Sequence, residues 1–224
     1  MKILKYLFIL ILTIIIVSGV IVTSMGYSQY KDTIAENPVT DAVAKIQKMA
    51  NYMTVNDLPD NYKNAVIAIE DHRFYDRGAI DFISIGRAIF TNVKQFKLAE
   101  GGSTITQQVA KNIFLSQEQS LIRKIAEVFI SFDLEKNYNK DEILELYVNT
   151  SYFGSGYTGI YAASKGYFNK DPKDLTLEEC TLLAGIPNAP SVYSLDANPD
   201  LAEQRAKYVI DAMKKYGFLN NTNN

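Results

Sequence analysis

The sequence predicts a mainly α-helical domain carried behind one N-terminal transmembrane helix. Apolar residues recur at helical spacing, as in Leu121, Ile125, Val128, Phe129 and Phe132, and again in Ile143, Leu144 and Tyr147. Runs with the period-two alternation of half-buried strands are scarce. Tyr6 to Val22 is an unbroken uncharged stretch rich in Ile and Leu. At ~1.5 Å per helical residue, about 17 residues nearly match a hydrocarbon core of ~30 Å, and Ile3 and Leu4 can extend the run.

Lys2 and Lys5 precede the apolar run, which places the N-terminus inside and the remainder outside the cell membrane. A cleaved signal peptide would have a shorter apolar region and a small-residue cleavage site. Ser24-Met-Gly26 is a poor version of one, so a retained single-pass anchor over residues 1–25 is expected. Residues 26–57 are polar and weakly helical, broken by Pro38, and read as a stalk. The globular domain is expected over 58–217, opening at Leu58-Pro-Asp60 where Pro59 and Asp60 resemble a helix start. Residues 218–224 form a polar, Asn-rich tail.

Composition narrows the chemistry. With 224 residues and a net charge of −2, nothing calls for nucleic acid. There is no Trp, so sugar-facing aromatics would come from 15 Tyr and 11 Phe. The single cysteine, Cys180, excludes an internal disulfide and sits in a helical pattern where a small buried residue fits. The single histidine, His72, argues against a zinc site.

The most informative stretch is Glu100-Gly-Gly-Ser-Thr-Ile-Thr-Gln-Gln-Val-Ala-Lys-Asn112. Two glycines open a turn, and Ser103 or Thr104 can cap the helix that follows. Thr104, Gln107, Gln108 and Lys111 then share one face. A row of a hydroxyl, amides and a cation suits a ligand rich in hydroxyls and phosphate oxygens. Glu70-Asp71 ends the apolar run Ala65 to Ile69. A carboxylate at a helix C-terminus beside apolar side chains has a raised pKa and makes a better base, although a solvated terminal pair is the ordinary reading. Arg123, Lys124 and Glu127 lie three and four residues apart, ordinarily a surface ion pair. Here Ile130 and Leu134 continue their face while Leu121, Ile125, Val128 and Phe132 fill the other, which implies a largely buried helix and a charged cleft.

Other patterns carry less. Gly154-Ser-Gly-Tyr-Thr-Gly159 matches a dinucleotide fingerprint but follows a helical pattern, not a strand. Ser28-Gln-Tyr-Lys31 matches S-x-x-K, yet no S-x-N or K-T-G accompanies it. Phe82, Ile85, Ile89, Val93 and Phe96, with Arg87, Lys94 and Lys97 alongside, form either a membrane-surface patch or a core stripe.

The chain resembles the peptidoglycan glycosyltransferases of family 51, found also as a domain of class A penicillin-binding proteins. Glu70-Asp-His-Arg-Phe-Tyr75 is similar to the first family motif and Gly101 to Asn112 to the second. Arg123-Lys-Ile-Ala-Glu127 and Lys140 to Asn149 are similar to the third and fourth, and Arg205 with Val209 to the last. Tyr152-Phe-Gly154, Tyr167-Phe168, Leu175 to Glu179 and Ala189-Pro-Ser191 also fit. The resemblance departs at Arg77 and Ala79, where the family commonly has His and then Gly. It departs again at Gln119 and Ala126, where Arg and Lys are frequent.

This resemblance implies a lysozyme-like fold of two helical lobes and polymerisation of lipid II onto a lipid-linked glycan chain. Glu70 would be the catalytic base. Lys111, Arg123 and Lys124 would face the leaving pyrophosphate. Glu127 would orient those cations or hold a divalent ion, Mg or Mn, against the pyrophosphate. Ser103, Thr104, Gln107, Gln108 and Asn112 would bind sugar and phosphate oxygens, with Phe74 lining the site. Asp71 would position Glu70 or Arg73. Other cell-wall synthesis proteins are the partners implied. Transpeptidase activity is not expected, because little sequence follows Met213. The alternatives are a glycan hydrolase built on two carboxylates and a non-catalytic membrane-anchored scaffold.

Overall fold

The computed structural model describes residues 2–87, 102–116, 118 and 120–219. Helix α1 (Lys2–Glu36) is one unbroken rod of 35 residues, about 52 Å at ~1.5 Å per residue. Its apolar half is long and apolar enough to cross a membrane, and none of that window is buried in the protein. Its second half docks on α5 (Leu121–Asn137). Gly26 is the point of closest approach, for a Cβ there would lie 2.6 Å from Ile125 Cβ. Around it Tyr27 meets Phe129 edge-on at 5.1 Å, Tyr30 stands 5.5 Å from the same ring, and the Tyr30 hydroxyl donates to Asp133 at 2.6 Å.

A side chain at position 26 would force the two helices apart. Gly26→Val is expected to destabilise the detergent-solubilised protein by about 1–3 kcal/mol, as overpacking does elsewhere. Thermal unfolding of the two forms side by side measures it, and an unchanged midpoint would contradict the close contact.

The segment expected to be a stalk is packed. Helix α2 (Val39–Gln47) puts Val39 and Val43 into the core. Residues 52–55 are tied to α6 (Lys140–Thr150). Asn149 accepts from Met53 N–H at 2.9 Å and donates to Met53 C=O at 2.7 Å, and Glu145 accepts from Val55 N–H and the Tyr52 hydroxyl at 3.0 Å each. These polar anchors lie about 90 residues downstream, so local sequence could not announce them.

Helix α3 (Asp60–Glu70) starts after Pro59, whose missing N–H costs nothing at a helix start. It buries Tyr62, Ala65, Val66, Ile67 and Ala68. Helix α4 (Ile105–Phe114) lies against α5 and α6. Beyond α6 come α7 (Ile160–Phe168), α8 (Leu177–Gly185), the short α9 (Pro190–Tyr193) and α10 (Pro199–Lys215). Helices α3, α8 and α10 pack mutually, with Cys180 fully buried between them. Capping boxes at Asn139/Glu142 and Thr176/Glu179 fix the starts of α6 and α8.

The described residues contain no β-strand, only an isolated bridge between Tyr152 and Thr158. That bridge closes the loop from α6 to α7, in which Gly154, Gly156 and Gly159 have φ of 78°, 84° and 82°. The apparent dinucleotide fingerprint is therefore a helix-to-helix turn. Ser28 lies inside α1. Of the Phe82 stripe, Phe82 is exposed and Ile85 half-buried; Ile89, Val93, Phe96, Lys94 and Lys97 lie outside the described residues, as do Gly101, Gln119 and the Asn-rich tail from Asn220.

Candidate active site

Three helices bring the site together. Helix α3 ends on Glu70, α4 runs past it, and α5 carries the cationic cluster. The α4 start is held by Thr104, whose hydroxyl accepts from Gln107 N–H at 3.1 Å while Gln107 Oε1 accepts from Thr104 N–H at 3.0 Å. Thr104 also donates to Ala79 C=O at 2.9 Å. Thr104 and Gln107 are only 1% and 2% exposed. The Thr104 hydroxyl and Gln107 Oε1 are engaged in building the helix start.

Gln108 and Lys111 do face the site. Gln108 Nε2 donates to Glu70 Oε2 at 2.5 Å. The other oxygen, Glu70 Oε1, is buried and has no hydrogen-bond partner. Burial pushes the Glu70 carboxyl above the ordinary carboxylate range, and the Gln108 bond, Arg205 and Lys111 only partly oppose this. The Lys111 ammonium is pushed down, first by burial; Glu127 and Glu70 counteract this, while Arg123 and Lys124 reinforce it. Lys111 thus stands within electrostatic reach of both carboxylates, and it links the Glu70 end of the site to the α5 cluster.

Within that cluster Glu127 is 2% exposed. Arg123 Nη1 donates to its Oε2 at 3.2 Å, and Lys124 Nζ pairs with its Oε1. Lys124 also donates to the Ser103 hydroxyl at 2.6 Å. Arg123 Nε is buried and makes no hydrogen bond within the protein. Asn112 is half-buried on α4. The face of α5 towards the core carries Glu127, Ile130 and Leu134, while Leu121 and Phe132 are exposed; the helix is buried on the α1 and core sides only. With both Glu127 oxygens taken by cations, and no cluster of three potential metal-ligating side chains among the described residues, Glu127 fits the orienting role better than that of a metal ligand.

Asp71 and Phe74 turn inward. Asp71 does not meet Arg73, which pairs with Asp81. It pairs instead with Arg77, whose Nε donates to Oδ1 at 2.9 Å and whose Nη2 meets Oδ2, and it accepts Ile105 N–H at 3.0 Å. Arg77 also lies 3.9 Å from Glu135, which accepts from Thr106 and Lys140 at 2.6 and 2.5 Å. Phe74 is fully buried, with Lys140 Nζ 4.8 Å from its ring centroid. Both residues support the site from behind and are closed to a ligand. Arg77 and Lys140 stand out in the sequence only as a departure and as the start of a motif, and Glu135 not at all; the signal for Glu135 is a carboxylate one residue past a leucine that the core buries.

The transglycosylase family model matches residues 37–214. The chain belongs to the transglycosylase family. A protein of Cupriavidus necator with a provisional transglycosylase name is 43% identical over 180 residues, covering 80% of this chain and 78% of the relative. Penicillin-binding protein 1F of Bacillus subtilis is 46% identical over 167 residues, and penicillin-binding protein 1A/1B of the same organism is 43% identical over 194. Those matches cover 75% and 86% of this chain but only 23% and 21% of the relatives, so the chain spans about a fifth of the two penicillin-binding proteins. The transglycosylase match includes every site residue named above, from Glu70 to Glu127.

Proposed function

We propose that this transglycosylase polymerises lipid II. The 4-hydroxyl of the acceptor GlcNAc attacks the anomeric carbon of the lipid-linked donor, Glu70 takes the hydroxyl proton, and undecaprenyl pyrophosphate leaves. The anomeric centre inverts and the new linkage is β(1→4). The observation that carries this reading is Lys111, poised between a buried carboxylate of raised pKa and a cluster of cations. A weakly acidic hydroxyl needs a base on one side of the reacting carbon, and a pyrophosphate needs positive charge on the other. Lys111, Arg123 and Lys124 would meet the developing charge, Glu127 would hold the last two in place, and Ser103 and Asn112 would contact oxygens of the substrate. Gln108 orients Glu70.

In this reading the apolar half of α1 sits in the bacterial cell membrane with Lys2 and Lys5 inside and the catalytic helices outside. Glycosyl transfer is the chemistry assigned to these 224 residues, because the only S-x-x-K serine, Ser28, lies within a helix and has no S-x-N or K-T-G partner.

The experiment is polymerisation of radiolabelled lipid II by the detergent-solubilised protein, beside a fluorescent-penicillin gel on the same preparation. Long lysozyme-sensitive glycan and no covalent label are expected. Shortening of preformed glycan without polymer growth would favour the hydrolase, and inertness to both substrates would favour the scaffold.

A further inference from the structure

We propose that Tyr147 is a positioning residue for Glu70, acting through water held among Glu70 Oε1, the Tyr62 and Tyr147 hydroxyls and Arg205 Nε. Each of these four polar atoms is buried and has no hydrogen-bond partner within the protein. Unpartnered polar atoms are rare in protein interiors, and four that share one neighbourhood are rarer still. The Ser151 hydroxyl stands beside the Tyr147 phenol and donates to the Tyr147 carbonyl at 2.7 Å, while the phenol oxygen itself makes no hydrogen bond of proper geometry.

Tyr62 and Tyr147 belong to one buried core cluster, with Glu70 and Arg205 within electrostatic reach of Tyr147. The Glu70 charge is felt at both phenols, Tyr147 feels Tyr62 and Arg205 as well, and Arg205 in turn acts on Glu70. They converge from three helices: Tyr62 and Glu70 from α3, Tyr147 from α6 and Arg205 from α10. Their chemistry is complementary. An ionised carboxylate oxygen only accepts, a guanidinium N–H only donates, and hydroxyls do both. Water bridging such a set would make its usual two to four hydrogen bonds. Other polar groups also act on this cluster: Gln108 and Lys111 of α4 on Glu70, and Cys180 of α8 on Tyr62.

The bridge fixes the direction of the effect. Donors delivered to Glu70 Oε1 favour the ionised carboxylate and hold its other oxygen towards Gln108 and the substrate. The catalytic consequence rests on Glu70 being the base, whereas the bridge itself does not.

Tyr147→Phe keeps the ring and removes only the hydroxyl. In the full-length protein in detergent, infrared titration reads the Glu70 carboxyl band, identified by its loss in Glu70→Gln. The midpoint is expected to rise by about one pH unit in Tyr147→Phe, the size of one lost hydrogen bond to a charged group. The acid limb of kcat/KM should rise with it. Tyr62→Phe should produce a smaller rise, and it serves as the test if Tyr147→Phe does not fold. An unmoved midpoint in a folded variant overturns the proposal, even if activity falls. A midpoint that rises while the acid limb stays put supports the bridge and removes Glu70 from the role of base.

Discussion

Glu70→Gln is expected to lower lipid II polymerisation by about 10²–10⁴-fold, the usual size of a lost general base. The amide keeps the shape and can still bond Gln108, but it cannot accept a proton from the acceptor hydroxyl. The same substitution should make the protein more stable at neutral pH. Burial raises the Glu70 pKa in the folded state, so the folded protein binds this proton more tightly than the unfolded chain does. Below the unfolded value, about 4.3, the carboxyl is protonated in both states and carries no penalty. As pH rises through the folded value, the charged form must be kept buried and stability is lost. Glutamine removes that loss, so the gap between the two melting curves should open with rising pH. For the same reason the acid limb of the wild-type rate profile should lie above the ordinary carboxylate range. Near-normal turnover by Glu70→Gln would overturn the assignment, and a melting difference independent of pH would contradict the buried charge.

Arg77→Met should be the most damaging change outside the reacting groups. The Arg77 and Asp71 side chains are 7% and 4% exposed. Removing one member of a buried pair leaves the other charge uncompensated, at a cost of about 3–5 kcal/mol. For a chain of this size that is a fall in melting temperature on the order of 10 °C. Activity should fall as well, because Asp71 also holds Ile105 N–H at the first turn of α4, and Gln108 is three residues further along. Asp71→Leu combined with Arg77→Met removes both charges and should recover part of the loss. A double-mutant cycle on melting temperature measures the coupling. Strict additivity of the two substitutions would exclude the pair as the element that braces the site.

These two results separate what the sequence could display from what it could not. Glu70 was legible because a carboxylate closing an apolar helical run has few places to go except a buried helix end. The cluster of Arg123, Lys124 and Glu127 was legible from the apolar residues that continue on its face. At Gln107 two patterns overlap, a polar helical face and a threonine-x-x-glutamine capping box, and the structure uses the second. Asp71 was paired with the wrong arginine because the chain makes a tight turn at Phe74–Asp76, which carries Arg77 back towards Asp71 and sends Arg73 to Asp81. Tyr147 repeats with Ile143 and Leu144 at helical spacing, and its ring is buried in the core. A buried phenol still needs a partner, and periodicity alone does not report which atoms at the end of the ring lack one.

The unbroken course of α1 has a geometric consequence. Gly26 lies four residues beyond the last apolar residue of the run, Val22, about 6 Å further along the rod. The seam at Gly26 joins that rod to α5, the helix carrying Arg123, Lys124 and Glu127. With the apolar half in a bilayer, the altitude of those charges above the lipid surface is set by residue count. Adding one helical residue before Gly26 would lift them by about 1.5 Å and swivel the anchor by about 100° around its axis. Under the proposed reaction, enzyme and lipid-linked donor would meet by lateral diffusion in a single plane, with the reactive linkage of the donor presented at a constant height.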